Sequence, residues 1–567
     1  MSAAFDERKS AILEEVLAHA QELPPMPGVD LEALIRGYYR HVPAEDLLDR
    51  SERDLGATVL HHLDLAGNRP QGTANVRLFT PTQDTDGWTC GGRTVVEVVT
   101  DDMPFLVDSV SMALDAAGHN VHQVMHPQFV VRRSLDGELR EVLDDAAATD
   151  AHDVDRESWM HVEIDRMPQD ETEDVRQTLL KVLLDVREAV EDWRRMHAAV
   201  EALVADLETD PPPLPYDEIA QGREFLTWLT HDHFTFLGFR EYDLVKDGDD
   251  EMLRAVPGTG LGILRADQMQ SPSFGKLPPP AKARAREKHL LVLAKANSRA
   301  TVHRPVHLDY IGVKKFDAAG AVVGERRILG LFSSAAYAES VKRIPVLREK
   351  AQKVIERAGY EPHSHAGKAL MDVLETYPRD EFFQTPVDDL VPIADAVMHT
   401  RERRQLRLFL RRDIYGRFLS CLVYLPRDRY NTTVRERISH ILQERLGGES
   451  VDFTARVSES FAARLHFVVR PPEDGELNDV DTVELEHELA EAARSWDDDL
   501  AASVLEATDT DEGARLVKLY GDAFPEAYKE DYRPAAGALD LCRLATMGEG
   551  GVALSLQPQK GTGDARL

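Results

Sequence analysis

The sequence predicts an α+β protein made of several small sheet-and-helix modules joined by long helices. Short, largely apolar runs recur along it, among them Val95-Val96-Glu97-Val98-Val99 and Leu290-Leu291-Val292-Leu293, and read as strands. Amphipathic helical patterns lie between them. The 567 residues exceed what one hydrophobic core serves, so about three to five domains are expected.

Acidic side chains number 100 against 67 basic, a formal net charge of −33. Nucleic acid and anionic membrane both demand a basic face, so neither is expected as a partner. Cys90, Cys421 and Cys542 form no CxxC pair and are expected as reduced thiols. The opening MSAAFDERKSAILEEV has no apolar signal core, and no stretch approaches the roughly 20 apolar residues of a membrane span. A soluble, cytoplasmic protein is the expectation.

Residues 5–66 read as short helices broken at LPPMPG (23–28) and Val42-Pro43, before strand character at Asn75–Phe79. From Thr94 the chain reads strand, acidic loop, helix, strand. Val95–Val99 is a strand buried on both faces. Thr100-Asp101-Asp102 breaks it, and Pro104 stands where a helix starts, because its missing N–H costs nothing in the first turn. Asp101 or Asp102 is placed to accept bonds from the free helix amides. Leu106, Val107, Val110, Ala113 and Leu114 share one helix face, and Gly118-His119-Asn120 ends it. Strands follow from Val121, at Phe129–Val131 and at Trp159–Ile164.

Leu179, Leu183, Val186, Val190, Trp193, His197, Val200, Val204 and Leu207 then recur every three or four residues. That is the period of a coiled-coil seam, or of a long helix packed along its own neighbouring domain. Asp210-Pro211-Pro212-Pro213 stops it. Strands are expected again at His233–Phe239, Leu290–Leu293, Asp309–Val313 and Arg326–Phe332. Further on, Leu406, Leu408 and Leu410 alternate, and a turn at Asp413–Gly416 returns the chain as Leu419–Leu425. Thr433 to Glu436 reads as a capping box opening a helix that Gly447-Gly448 closes, with closing strands at Val451–Val457 and Arg464–Arg470. One acidic helix is expected over Val483–Val504. The last residues, GGVALSLQPQKGTGDARL, begin as a strand and stop within what reads as a hairpin, so the chain is expected to be truncated.

The unit at 94–133 resembles the start of an ACT-type regulatory domain, a ferredoxin-like βαββαβ module that binds an amino acid at its first strand–helix loop. Longer runs are more specific. VVTDDMPFLVDSVSMAL, ANSRATVHRPVHLDYIGVKKFD, YPRDEFFQ and LFLRRDIYGRFLSCLVYLPRDRYNTTVRERI together resemble the large NAD-specific glutamate dehydrogenases of bacteria. In that family a long region of ACT-like modules precedes a catalytic domain. The resemblance covers most of residues 30–567 and implies multiple ferredoxin-like (ACT-like) modules linked by long helices. It divides the chain into an N-terminal α+β region (1–92), a first module with the long helix (93–210), a second with a helical insert (211–400), a third (401–475), and a helical segment with the start of a truncated β element (476–567).

A zwitterionic amino acid offers a carboxylate to helix-start amides and an ammonium to a carboxylate side chain. The loop Asp101-Asp102-Met103-Pro104-Phe105 has both partners and is the candidate effector site, with plain helix capping by aspartate as the other reading. Amino-acid-binding relatives carry glycine after the proline, where Phe105 stands. No catalytic, cofactor-binding or metal-ligating residue is assigned. Gly258-Thr259-Gly260-Leu261-Gly262 has the wrong spacing for a dinucleotide turn. The pairs His231/His233 and His363/His365 lack further ligands at zinc spacing. The basic cluster Arg401, Arg403, Arg404, Arg407, Arg411, Arg412, Arg417, Arg427 and Arg429 is expected to pair with acidic helices of a neighbouring subunit, to hold an anion, or to be a solvated face.

The resemblance implies the regulatory and oligomerisation region of an NAD-dependent glutamate dehydrogenase, which converts L-glutamate, NAD and water to 2-oxoglutarate, ammonia and NADH. The catalytic domain is expected to be absent from the chain. By itself the chain is then expected to be inactive and not to bind NAD, the cofactor of the full-length enzyme. Expected partners are an amino-acid effector, further copies of the chain in a homo-oligomer, and the catalytic domain of the same enzyme. A stand-alone amino-acid sensor or a non-enzymatic scaffold is the alternative.

Overall fold

A computed structural model describes residues 2–20, 28–143, 153–247, 250–266, 286–403, 405–413, 416–457, 462–472, 475–547, 557–558 and 565–566. Most of the strand expected near the end of the chain lies outside the described residues; within it Gln557–Pro558 is described, paired antiparallel with Ala565–Arg566. The chain forms two compact units, Met1–Glu349 and Lys350–Leu567.

In the first unit, α1 (Ser2–Ala20), α2 (Leu31–Tyr38), α3 (Ala44–Leu48) and α4 (Glu52–Ala66) precede an antiparallel sheet. Its strands are β1 (Asn75–Phe79), β2 (Thr94–Asp101), β3 (Val121–Met125), β4 (Gln128–Arg133), β5 (Leu139–Leu143) and β6 (Asp155–Ile164), with α5 (Leu106–Ala116) between β2 and β3. The order is β1-β2-β6-β4-β5, and β3 joins β6 beside β4. As its valine-rich run foretold, β2 is buried on both faces, the charged Glu97 included. Val96, Val98, Met160 and Val162 pack on α5 and on α6 (Thr172–Thr209), whereas Val99 and Trp159 pack on the N-terminal helices.

A second antiparallel sheet follows α7 (Tyr216–Trp228). It comprises β7 (Phe234–Asp247), β8 (Asp250–Ala255), β9 (Leu261–Gly262), β10 (Leu291–Arg299), β11 (His307–Phe316) and β12 (Val322–Phe332), ordered β10-β11-β12-β7-β8 with β9 on β7. Leu237, Leu308, Leu329 and Leu331 of this sheet share one apolar core with α5, α6 and the first sheet. The apolar line of α6 is therefore covered by sheets of its own chain, not by the second helix of a coiled coil. Its middle is also rotated by one residue from the expected seam. Asp192 is buried, accepting from Gly262 N at 3.0 Å and Arg265 Nε at 2.8 Å, while Trp193 turns outward at 47% exposure. A buried carboxylate must find donors, and anchoring β9 supplies them.

In the second unit, β13 (Arg407–Arg412), β14 (Leu419–Pro426), β15 (Ser450–Arg456) and β16 (Ala462–Arg470) form a sheet ordered β13-β14-β16-β15. One face, with Leu408, Cys421, Val423, Leu465 and Phe467, packs on the helices Thr432–Leu446 and Thr482–Ala492. The first of these is capped two residues earlier than the expected box. Asn431, extended at φ −148°, accepts from Val434 N at 2.8 Å, and asparagine is a better cap than threonine. Gly447 ends the helix at φ +66°. The single acidic helix expected at Val483–Val504 is two, Thr482–Ala492 and Trp496–Ala507. Ser495 and Asp498 form a reciprocal capping box that restarts the chain there. The α+β class with ACT-like modules is what the chain adopts. No helix among the described residues is long and apolar enough to cross a membrane.

Candidate functional site

The candidate site lies where β2 hands over to α5. β2 runs two residues further than its apolar run, so Asp101 is its last strand residue, paired with Glu157 of β6. Asp102 donates its N–H to Arg156 O at 2.9 Å, and its Oδ1 accepts from Gln128 Nε2 at 2.9 Å. Pro104 has no N–H to give. Phe105 then takes the cap position at φ +72° and ψ −1°, and no side chain caps the helix. Neither aspartate is a helix cap. The backbone at Phe105 is the left-handed one that glycine adopts freely, and for a bulky residue it stores about 1–2 kcal/mol of strain. Its ring packs on His303, 4.9 Å between centroids, in the turn between β10 and β11. His303 N also donates to Ser109 Oγ at 3.1 Å, tying that turn to α5.

A cleft of about 350 Å³ results, lined by Asp102, Met103, Pro104, Phe105 and Asp108 together with His126 and Gln128. Volumes of about 300 Å³ and above suit a small ligand. Uncapped first-turn amides give one wall a positive character, and the Asp102 carboxylate gives another a negative one. Burial pushes His126 below its ordinary value, against the pull of Asp102. Its Nε2 lies 2.5 Å from Ser158 Oγ.

Asp101 does not line the cleft and is held by two arginines. Arg69 Nη2 donates to it at 2.7 Å, and Arg187 of α6 donates to its other oxygen. Burial opposes its charge, but Arg187 and Arg69 outweigh that and hold its pKa below the usual carboxylate range. The same Arg69, fully buried, donates to Glu157 at 2.6 Å, and Glu157 also takes Arg133 Nε at 2.6 Å and Trp159 Nε1 at 2.9 Å. This buried network fixes the end of β2 and hence the open helix start beyond it. Arg69, Arg187, His126, Gln128 and His303 were not found from the sequence. They are distant along the chain, and no local spacing links them to the loop.

The remaining sequence candidates fall elsewhere. Ideal Cβ atoms on Gly260 and Gly262 would meet Leu264 O at 2.2 Å and Leu237 O at 2.1 Å, so these glycines serve close backbone packing around β9. His233 stacks on Trp228, and Ser364, between the second histidine pair, caps the helix His365–Thr376 at Gly367 N. Of the basic cluster, Arg411 holds the buried Glu381 at 2.6 Å, Arg417 holds Asp413 at 2.8 Å and Arg412 holds Asp479 at 2.8 Å. Arg401, Arg403 and Arg404 lie where side chains are not described.

His62, Glu97 and His161 bring their ligand atoms within 4.8 Å of one another, all buried. Tyr38 Oη lies 2.8 Å from His62 Nδ1, while Arg77 donates to Glu97 at 2.8 and 3.0 Å. A guanidinium already on the carboxylate opposes a cation there. Burial raises the pKa of Glu97, but His61 and the neighbouring histidines outweigh it and hold it at about 2. The group is a buried polar network.

Two ACT domains and two helical motifs are recognised when the chain is compared with known families. Residues 34–179 match "Glutamate dehydrogenase, ACT1 domain" and 407–497 match "Glutamate dehydrogenase, ACT2 domain". Residues 344–403 and 503–547 match "Glutamate dehydrogenase, helical motif 1" and "helical motif 2". These define an ACT-module protein of the dehydrogenase type. Similar curated proteins, each called NAD-specific glutamate dehydrogenase, come from Halomonas elongata (34% identical over 98% of this chain), Pseudomonas aeruginosa (36% over 95%) and Mycobacterium tuberculosis (32% over 83%). The chain belongs to the NAD-specific glutamate dehydrogenase family. It spans 34%, 33% and 29% of the length of those relatives.

These matches correct two expectations. The chain was expected to be only the regulatory and oligomerisation region of the enzyme, with the catalytic domain absent from it, or a stand-alone sensor or scaffold. It was also expected to bind no NAD. Relatives aligned along 83–98% of the chain carry the name of the enzyme itself, so both exclusions fall.

Proposed function

We propose that this chain works in an NAD-specific glutamate dehydrogenase, oxidising L-glutamate with NAD and water to 2-oxoglutarate, ammonia and NADH. The observation that carries this is the match along 98% of the chain at 34% identity to a protein of that name. NAD supplies the hydride acceptor; no residue of the chain is assigned to hold it. We further propose that the cleft at Asp102–Phe105 takes a free amino acid as allosteric effector. The α5 amides receive its carboxylate and Asp102 its ammonium, with Asp101 fixing the strand end behind them. Coupling between effector binding in that cleft and substrate binding is reciprocal. The protein is read as a homo-oligomer of the cytoplasm, with its segments 1–92, 93–210, 211–400, 401–475 and 476–567 as working parts.

The test is glutamate-dependent NADH formation by the native protein carrying this chain, measured across a panel of amino acids. Expected are NAD reduction and a shift in glutamate affinity with at least one effector, weakened about tenfold or more by Asp102→Ala. No glutamate-dependent NADH overturns the enzyme reading. An effector response that survives Asp102→Ala overturns the cleft alone.

A further inference from the structure

We propose that Arg464 and Arg456, on adjacent strands of the ACT2 sheet, form a binding site for a small dianion, a phosphate group or a dicarboxylate. β15 and β16 set Arg456 directly opposite Arg464, and β14 sets Tyr424 opposite Arg464 on the other side. Directly opposed residues share one sheet face with Cβ atoms about 5 Å apart, where like charges repel. Nothing among the described residues answers them. Among the described residues, Arg464 Nε and Nη1 are buried without a hydrogen-bond partner, and neither arginine has a carboxylate within ion-pair distance. Arg379, the first residue of the helix Arg379–Gln384, adds a third guanidinium. It is already engaged by Glu375, at 3.1 Å to the carbonyl and 3.6 Å to the carboxylate. Burial first, then Arg456 and Arg379, depress the pKa of Arg464 from its ordinary value.

A buried guanidinium left without acceptors costs free energy that a bound oxyanion recovers through charge-assisted hydrogen bonds. Two guanidinium groups without a carboxylate match two negative charges. Arg456 is exposed and Arg464 half-buried, so the pair opens to solvent at one end and a small ligand reaches it. In a chain of net charge −33 general attraction for anions is absent, and a local site is needed to hold one. The arginines that stand out in the sequence behave differently, since Arg411, Arg412 and Arg417 are each answered by an acidic side chain.

Calorimetric titration of the 567-residue chain with inorganic phosphate, and separately with glutarate, at constant ionic strength set by chloride, tests the site. Saturable binding of at least one probe is expected, weakened about tenfold or more by Arg464→Gln and by Arg456→Gln. Arg412→Gln, which removes an exposed arginine paired with Asp479, is expected to leave it unchanged. Binding of phosphate alone assigns a phosphoryl ligand, and of glutarate alone a dicarboxylate. No saturable binding of either probe, or binding that survives Arg456→Gln, overturns the proposal. Arg456 is exposed, so its variant keeps the test decisive even if Arg464→Gln fails to fold.

Discussion

After β14 the chain passes Pro426 and a short turn to Asn431, whose extended backbone and side-chain oxygen close the start of the next helix at Val434 N. After β2 it passes Asp101, Asp102 and Pro104 to Phe105, left-handed at φ +72°, with no side chain on the first amides of α5. Both are strand-to-helix junctions of ACT modules. In one the helix dipole is satisfied internally; in the other it faces a cleft. The open junction forgoes a cap and carries backbone strain, and the buried Arg69–Glu157–Arg133 cluster with Asp101 and Arg187 holds it in place. A helix start left open on a rigid base is what a ligand site requires.

The largest effect expected from breaking this comparison is at that base. Glu157→Ala leaves the buried Arg133 without its carboxylate and Arg69 with Asp101 alone, and should destabilise the first unit by about 3–5 kcal/mol. Local unfolding of β2 and β6, read by amide hydrogen exchange, checks it, and an unchanged exchange rate would refute the supporting role. Asn431→Ala removes the closed cap and should cost about 1 kcal/mol, with Asn431→Gly costing only a few tenths. At the open junction glycine is again favoured over alanine, here through the backbone and not through a cap. Phe105→Gly should be more stable than Phe105→Ala by about 1 kcal/mol, because only glycine relieves the left-handed backbone. Urea unfolding of the two variants side by side decides this, and equal midpoints would mean that strain is not stored there.

The last effect expected is a pH slope. Burial holds His62 at about 4, below its ordinary 6.5, so the folded state keeps it neutral. Below pH 6.5 the unfolded chain takes up a proton that the folded chain refuses. Stability is full above that pH and is lost progressively as pH falls from 6.5 toward 4. His62→Gln should flatten that part of the stability profile, and an unaltered slope would assign it to other groups.

Much of the architecture was legible locally. The valine-rich Val95–Val99 run announced a strand buried on both faces, and Gly447 announced a helix end, because side-chain bulk and backbone freedom act within a few residues. The loop Asp101–Phe105 was legible as a helix approach for the same reason. The division of labour inside it was not. Asp101 and Asp102 are equivalent on paper, yet Arg69 and Arg187 take the first and leave the second beside the cleft.

The sequence by itself determined the α+β class, the strand and helix runs and the position of the candidate loop, since periodicity, proline and glycine act on their own neighbours. Tertiary structure decided which charges are answered. Asp192 was drawn into an apolar helix line by Gly262 and Arg265, and the prominent arginines from Arg411 to Arg417 found acidic partners. Arg456 and Arg464 were set face to face by strand register. Charge pairing is a matter of distance in space, and only the folded chain fixes that distance.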